Sequence, residues 1–208
     1  MKGTVFSVAL NHRSQLDAWD QAFRASPYQT PPKTPVWFIK PRNTHLANGG
    51  SIPFPAGETV QSGATLAVVI GSTARKVPAD KVADYVAGYA LANDVSLPET
   101  SFYRPAIKAK CRDGFCPLGE IAPLGSTRNL EIVTEINGVE QDRWSTADLV
   151  RSVPELIAAI SDFITLQPGD AVLIGTPHQR VEIKPGDKVT VRAAGLPTLT
   201  NPVTQAGE

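Results

Sequence analysis

The chain has 208 residues, 42% of them apolar, with 20 acidic side chains against 20 basic ones and a formal net charge of zero. That length and apolar content suit one large domain with a substantial core. The charge balance gives no overall field to attract nucleic acid or an anionic membrane, no stretch reaches the roughly 18 to 20 apolar residues of a spanning helix, and the start, MKGTVFSVALNHR, lacks a basic region followed by a long apolar one, so a cytoplasmic protein with a small-molecule or protein partner is expected.

In chain order, TVFSVAL is the first short β-type run. SQLDAWDQAFRAS follows as a helix, with Ser14 as its cap and Leu16, Trp19 and Phe23 at a three-to-four spacing. PVWFIK and TLAVVIG read as strands, and the second belongs to SGATLAVVIG, residues 62–71, a run without one titratable group. PADKVADYVAGYALAN predicts a second helix, ending at Asn93-Asp94. LEIVTEING is again strand-like, and TADLVRSVPELIAAISDFITL has apolar residues at helical period, with Pro154 in an early turn or at a break between two helices. DAVLIG and DKVTVRA complete the strands. Each is preceded by a Pro-Gly-Asp triplet, at 168–170 and 185–187, which reads as a tight turn with glycine supplying positive φ. The paired turns suggest that the intervening Gly175-Thr176-Pro177 loop is held at a fixed place on a sheet, whereas PVTQAGE reads as a frayed polar tail. Many short strands, punctuated by proline and glycine, with few helices, predict a β-rich α+β fold.

Cys111 and Cys116 form a C-x4-C pair with no second pair, a poor zinc site, and His12, His45 and His178 show no ligand spacing. Two reduced and mostly buried thiols are expected. The densest polar stretch is GYALANDVSLPETSFYRPAIKAKCRDGFCPLGE, where Asp94 closes the predicted helix and Lys110, Arg112 and Asp113 follow. Cations to hold carboxylates, beside an acid, are what an oxo-acid site requires. Taken singly, Lys110 reads as a surface lysine and Asp94 as a turn residue.

The ordered set carries more. GYALANDVS, KAKCRDGFCPLG, EINGVEQDRWSTADLV, LQPGDAVLIGTP, IKPGDKVTV and GLPTLTNPV resemble successive blocks of the fumarylacetoacetate hydrolase family, from PVWFIKPRNT at about residue 35 to Val203, with a weaker likeness at VALNHRSQLDAW. NDVSLPETSFYRPAIKAKCRDGFCP is similar to the first half, or separate first subunit, of the isomerase and decarboxylase branch of that family. The resemblance implies a mixed β-sandwich roll with a few flanking helices, as one domain with an N-terminal lid segment (1–34), a core (35–203) and a tail (204–208). It implies a homo-oligomer, or association with a homologous second subunit. The implied substrate is a 2-oxo or 2-hydroxy dicarboxylate or tricarboxylate, decarboxylated or isomerised through an enolate-like species with Mg²⁺ as Lewis acid.

The same resemblance exposes gaps. The family's Glu-x-Glu metal ligands fall on Gly63 and Thr65, which leaves Asp94 as the one ligating carboxylate, and hard cations need several oxygen ligands. Mg²⁺ is therefore expected to be weak or absent in this chain alone. The family's His/Glu proton-transfer pair falls on Gln15 and Ala18, with His12 nearby. What remains is an anion-handling set: Lys110, Asp94 and Asp113 in catalytic places, Thr176, Arg112, Arg104 and His45 as substrate-binding groups, and Lys40 as an outer candidate. Two readings follow. One is a subunit that stabilises an enolate with Lys110 and its neighbours; the other is a structural partner of a metal-bearing homologue.

Overall fold

The computed structural model describes residues 3–207. The chain runs through β1 (Val5–Ala9), α1 (Arg13–Phe23), β2 (Val36–Lys40), β3 (His45–Ala47), β4 (Ile52–Phe54), β5 (Val60–Ser62), β6 (Ala64–Ile70), β7 (Val86–Asn93), α2 (Ile107–Lys110) and β8 (Cys116–Leu118). It continues through β9 (Glu131–Ile136), β10 (Val139–Ser145), α3 (Val153–Ser161), β11 (Ala171–Leu173), β12 (Val181–Ile183), β13 (Lys188–Arg192) and β14 (Leu199–Gln205). Seven strands form a mixed sheet in the order β2-β1-β11-β6-β7-β8-β3, and five form a second sheet, β10-β9-β13-β14-β4. A two-stranded ribbon pairs β12 with β5. This is the β-rich α+β roll that the family blocks imply. Among the described residues, no helix is long and apolar enough to cross a membrane.

Strand β6 explains the uninterrupted apolar run at its position. Leu66, Val68 and Ile70 enter a core that joins the seven-stranded sheet to Ile132, Val191 and Leu199 of the five-stranded sheet and to Leu156, Ile157 and Ile160 of α3. Ala67 and Val69, on the opposite face, are buried in a second cluster of small residues with Ala90, Ala92 and Ala171. A strand covered on both faces loses the alternation that a half-exposed strand shows.

Three expectations are corrected. PADKVADYVAGYALAN is not a helix: Ala79–Tyr85 forms a 3₁₀ segment, and Val86–Asn93 is β7, paired along its length with β6 from Ala64↔Asn93 to Ile70↔Val86. Its alanines favour a helix locally, but pairing and burial between two layers override that preference. The N-terminal lid segment is not peripheral throughout, because β1, within it, lies between β2 and β11 inside the main sheet. The boundary before residue 204 falls within β14, where Thr204 and Gln205 pair with Pro53 and Phe54. The helix from Thr146 is resolved into a short 3₁₀ turn and α3, with Ser152 as the cap of α3 and Pro154 within its first turn.

Both Pro-Gly-Asp turns lock themselves with their aspartates. Asp170 accepts from the backbone N–H of Thr4 at 2.7 Å and Gln167 at 2.8 Å, and Asp187 accepts from Lys184 N–H at 2.9 Å and the Asn137 amide at 3.0 Å. Gly169 and Gly186 take φ of 90° and 91°, which a side chain would strain. The Asp170 lock fixes the start of β11, and thereby the Gly175-Thr176-Pro177 loop that follows it.

Candidate active site

Strand β7 ends where β6 begins on its neighbour, and the two are clamped there. Asp94 N–H donates to Gly63 O at 2.8 Å, while the Asn93 side-chain oxygen accepts from Gly63 N–H at 2.8 Å and the Ser62 hydroxyl at 3.0 Å. The clamp holds Asp94 in the interior. Three cations meet its carboxylate: Lys40 Nζ 2.7 Å from Oδ1, Lys110 Nζ 2.9 Å from Oδ2, and Arg180 Nη2 3.1 Å from Oδ2. Glu99 approaches the same group more loosely, 3.6 Å from Lys110 and 3.8 Å from Arg180.

Each cation is held by a different element. Lys40 closes β2, and its ammonium donates to the carbonyls of Val95, Lys110 and Phe115 at 2.8, 2.8 and 2.9 Å. An ammonium has three donors. Asp94 Oδ1, 2.7 Å away, therefore shares these donors with three carbonyls and has none to itself. Lys110 ends α2 and lies 4.8 Å from the centre of the Phe38 ring, a cation–π contact. Arg180 donates to the Asp94 carbonyl at 3.0 Å and to the Thr176 hydroxyl at 2.9 Å. The loop that carries it turns at Gly175, with φ of 103°, and the Thr65 hydroxyl donates to the Gly175 carbonyl at 2.6 Å.

Burial alone would raise the Asp94 carboxyl, but Lys110, Lys40 and Arg180 together outweigh it and hold the group well below the usual carboxylate range. Burial, then repulsion from Arg180, pushes Lys110 below the ordinary lysine value. The two shifts differ in leading cause, although a single carboxylate at hydrogen-bond distance is shared among the three cations. Even with Glu99 counted, three cations face two carboxylates. By formal charge the cluster holds one more cation than carboxylate in a largely buried setting.

Side chains here do not fit the divalent ion that the family resemblance implies. A Cβ on Gly63 would stand 2.8 Å from the Asp94 carbonyl oxygen and 3.3 Å from Arg180 Cζ, so there is no room for a ligating side chain without a backbone shift. The Thr65 hydroxyl is already committed to Gly175, and Asp94 is surrounded by cations. Among the described residues, no group of three or more His, Cys, Asp or Glu side chains is placed to hold a metal.

The structure brings together Asp94, Lys110 and Thr176, and it promotes Lys40 from the periphery to the centre. It places the other sequence candidates elsewhere. Asp113 is exposed and accepts from the Asn43 amide at 2.7 Å. Arg112 pairs with Glu58 at 2.9 Å and with the Lys108 carbonyl at 3.0 Å. His45 hydrogen-bonds the Lys40 carbonyl at 3.1 Å, and burial pushes its ring below the usual histidine range. Arg104 is exposed at the rim of a cavity. His12, not Ser14, caps α1: its Nδ1 accepts from Ser14 N–H at 3.2 Å while its ring packs edge-on against Trp144. Gln15 is buried with its side chain bonded to Leu10 N–H at 2.9 Å, and Ala18 is exposed. Cys111 and Cys116 are free thiols, and burial pushes Cys116 up to about 12.

Arg180 and Glu99 escaped sequence reasoning. The available signals were their positions, four residues after Thr176 and five after Asp94, but nothing in one dimension shows that Arg180 reaches the Asp94 carboxylate or that Glu99 faces the same cations. Two cavities open beside the cluster. One, about 540 Å³, is lined by Lys110, Glu99, Phe38, Phe102, Tyr103 and Ile107 among others. The other, about 280 Å³, is lined by Arg180, Glu99, Phe102, Gln15, Trp19 and His178 among others. Volumes of this order suit a small organic ligand.

A mixed β roll thus carries a buried Asp and Lys after β7 and a Gly-Thr-Pro loop after β11. Residues 4–204 match the family described as Fumarylacetoacetate (FAA) hydrolase C-terminal, and the chain belongs to that family. It is 64% identical over all 208 residues to the 4-hydroxyphenylacetate degradation bifunctional isomerase/decarboxylase of Escherichia coli, of which it covers 48%. It spans about half the length of the curated relatives that it matches at this level. Its fold is similar to that of 2-hydroxyhepta-2,4-diene-1,7-dioate isomerase from Mycobacterium marinum, with a TM-score of 0.83 at 32% identity over 99% of this chain and 75% of that one. It is also similar to maleylpyruvate hydrolase from Sphingobium sp. SYK-6 in complex with manganese(II) ion and pyruvate, with a TM-score of 0.80 at 25% identity over 98% of this chain and 71% of that one.

Proposed function

We propose that this chain is one half of a cytoplasmic 4-hydroxyphenylacetate-catabolic isomerase/decarboxylase, acting on a 2-oxo or 2-hydroxy dicarboxylate or tricarboxylate in association with a homologous second half. The named reactions are those of 5-oxopent-3-ene-1,2,5-tricarboxylate decarboxylase and 2-hydroxyhepta-2,4-diene-1,7-dioate isomerase. Identity over the full chain to a relative twice as long supports the pairing. The observation that carries the chemistry is the surplus of buried cations around Asp94, with Lys110 reaching a cavity of about 540 Å³.

Decarboxylation and isomerisation of these acids both place negative charge on an oxygen beside the reacting carbons. Fixed cations that are already oriented stabilise such charge without reorganising. In this reading Lys110 donates a hydrogen bond to the developing enolate oxygen, and its lowered pKa eases the return of a proton. Arg180 and Thr176 hold a carboxylate of the same substrate by charge-assisted and neutral hydrogen bonds. No step is assigned to a divalent ion, because the side chains at Gly63 and Thr65 do not ligate one.

The opposing reading, a partner without chemistry of its own, is not favoured. Relatives over the whole length of the chain are named isomerase/decarboxylase. A purely structural partner also gains nothing from holding three buried cations on one carboxylate, since an apolar cluster of the same volume is as stable or more so. The test is turnover of the dienoate by the chain together with its second half: Lys110→Ala should reduce kcat/KM by at least a hundredfold, and unchanged turnover would reject the assignment.

A further inference from the structure

Glu99 stands where an incoming carboxylate would be received. Its side chain is 13% exposed, and its two oxygens face Lys110 at 3.6 Å and Arg180 at 3.8 Å. Both separations exceed hydrogen-bond distance, whereas Asp94 meets the same cations at 2.9 and 3.1 Å. Asp94 is the built-in counter-ion; Glu99 is a loose second one. It lines both cavities.

The chain that carries Glu99 is lightly held. Among the described residues, Leu97 N–H bonds to the Ala109 carbonyl and Lys110 N–H to the Ala106 carbonyl, but residues 98–105 contribute no backbone–backbone hydrogen bond. The ties within that stretch run through side chains: the Tyr28 hydroxyl bonds the Ser101 hydroxyl at 2.9 Å and accepts from Phe102 N–H at 2.8 Å. Backbone with few internal bonds opens at low free energy.

We propose that Glu99 is an internal occupant of the substrate's carboxylate seat, and that a ligand carboxylate binds between Lys110 and Arg180 by displacing it. This rests on the reading that Lys110 and Arg180 receive substrate. It deepens that reading by naming the ligand class: a carboxylate attached to an apolar or conjugated chain. The carboxylate replaces Glu99 charge for charge, so the charge balance around the buried cations is the same before and after the exchange. Its chain enters the larger cavity, against Phe38, Phe102 and Ile107. Glu99 thereby sets the affinity threshold of the site, because every ligand must compete with a tethered carboxylate at high effective concentration.

The test is calorimetric titration of 2-oxoglutarate into the wild-type chain and into Glu99→Gln, Glu99→Asp and Glu99→Gln/Lys110→Ala. Glu99→Gln removes the competing charge at nearly constant volume and should tighten binding at least tenfold. Glu99→Asp keeps the charge on a shorter arm and should gain less, and the double variant should lose the gain. Lys110-dependent binding that is equal or weaker in Glu99→Gln would overturn the displacement while leaving the site intact. Absence of binding in both the wild type and Glu99→Gln would overturn the displacement and the proposed site together.

Discussion

Asp94 and the turn aspartates Asp170 and Asp187 are all buried, yet they are used in opposite ways. Asp170 and Asp187 accept from backbone N–H groups and an amide, next to their own turns, and what they fix is the start of a strand. Asp94 receives three side-chain cations drawn from β2, α2 and the loop after β11. A carboxylate satisfied by local backbone is finished as a structural element. One that gathers cations from distant segments is the feature on which the proposed site rests.

The comparison breaks most readily at Asp94. Asp94→Asn leaves three buried cations without their counter-charge and should lower unfolding stability by about 3–5 kcal/mol, measured by urea denaturation. A loss no larger than that of a surface substitution would make Asp94 equivalent to a solvated residue. Next in size, Asp170→Ala removes two charge-assisted bonds to backbone N–H and should cost about 2–3 kcal/mol of stability, with carboxylate binding unchanged. Reduced binding in that variant would erase the distinction between turn and site.

Gly63→Ala brings a Cβ to 2.8 Å from the Asp94 carbonyl oxygen and should cost about 1–3 kcal/mol of stability through overpacking. Thr176→Ala removes one neutral hydroxyl that accepts from Arg180, and should weaken carboxylate binding by about 1 kcal/mol, roughly fivefold, by calorimetry. The pH dependence sharpens the same contrast. Because Asp94 is held below its unfolded value, its contribution to stability is complete above about pH 4 and declines as acid is added below that value. In Asp94→Asn the acid limb of the stability curve should therefore be shallower than in the wild type.

Much of the fold could be read from the chain because its strands are short, β-branched and bounded by proline and glycine. Strand β7 could not, since VAGYALAN has the composition of a helix, and only its pairing with β6 decides otherwise. At the site, Asp94, Lys110 and Thr176 were legible as parts of ordered family blocks. Arg112 and Asp113, adjacent to them in KCRDG, were misleading: the Gly114 turn directs them to Glu58 and Asn43, away from the cluster. Lys40 looked peripheral at the end of an apolar edge strand, because nothing in PVWFIK announces that three carbonyls from other segments will surround its ammonium. Arg180 and Glu99 share that character. Convergence of separate segments on one charged cluster is a property of the folded chain, and neither spacing nor composition encodes it locally.

The most direct test of fixed-cation recognition is calorimetric titration of 2-oxoglutarate into the chain, with EDTA and with added Mg²⁺ or Mn²⁺, alongside Lys110→Ala. Recognition by Lys110 and Arg180 predicts one site of equal affinity in both solutions, lost in Lys110→Ala. Binding that appears only with the divalent ion, or that survives removal of Lys110, would contradict it.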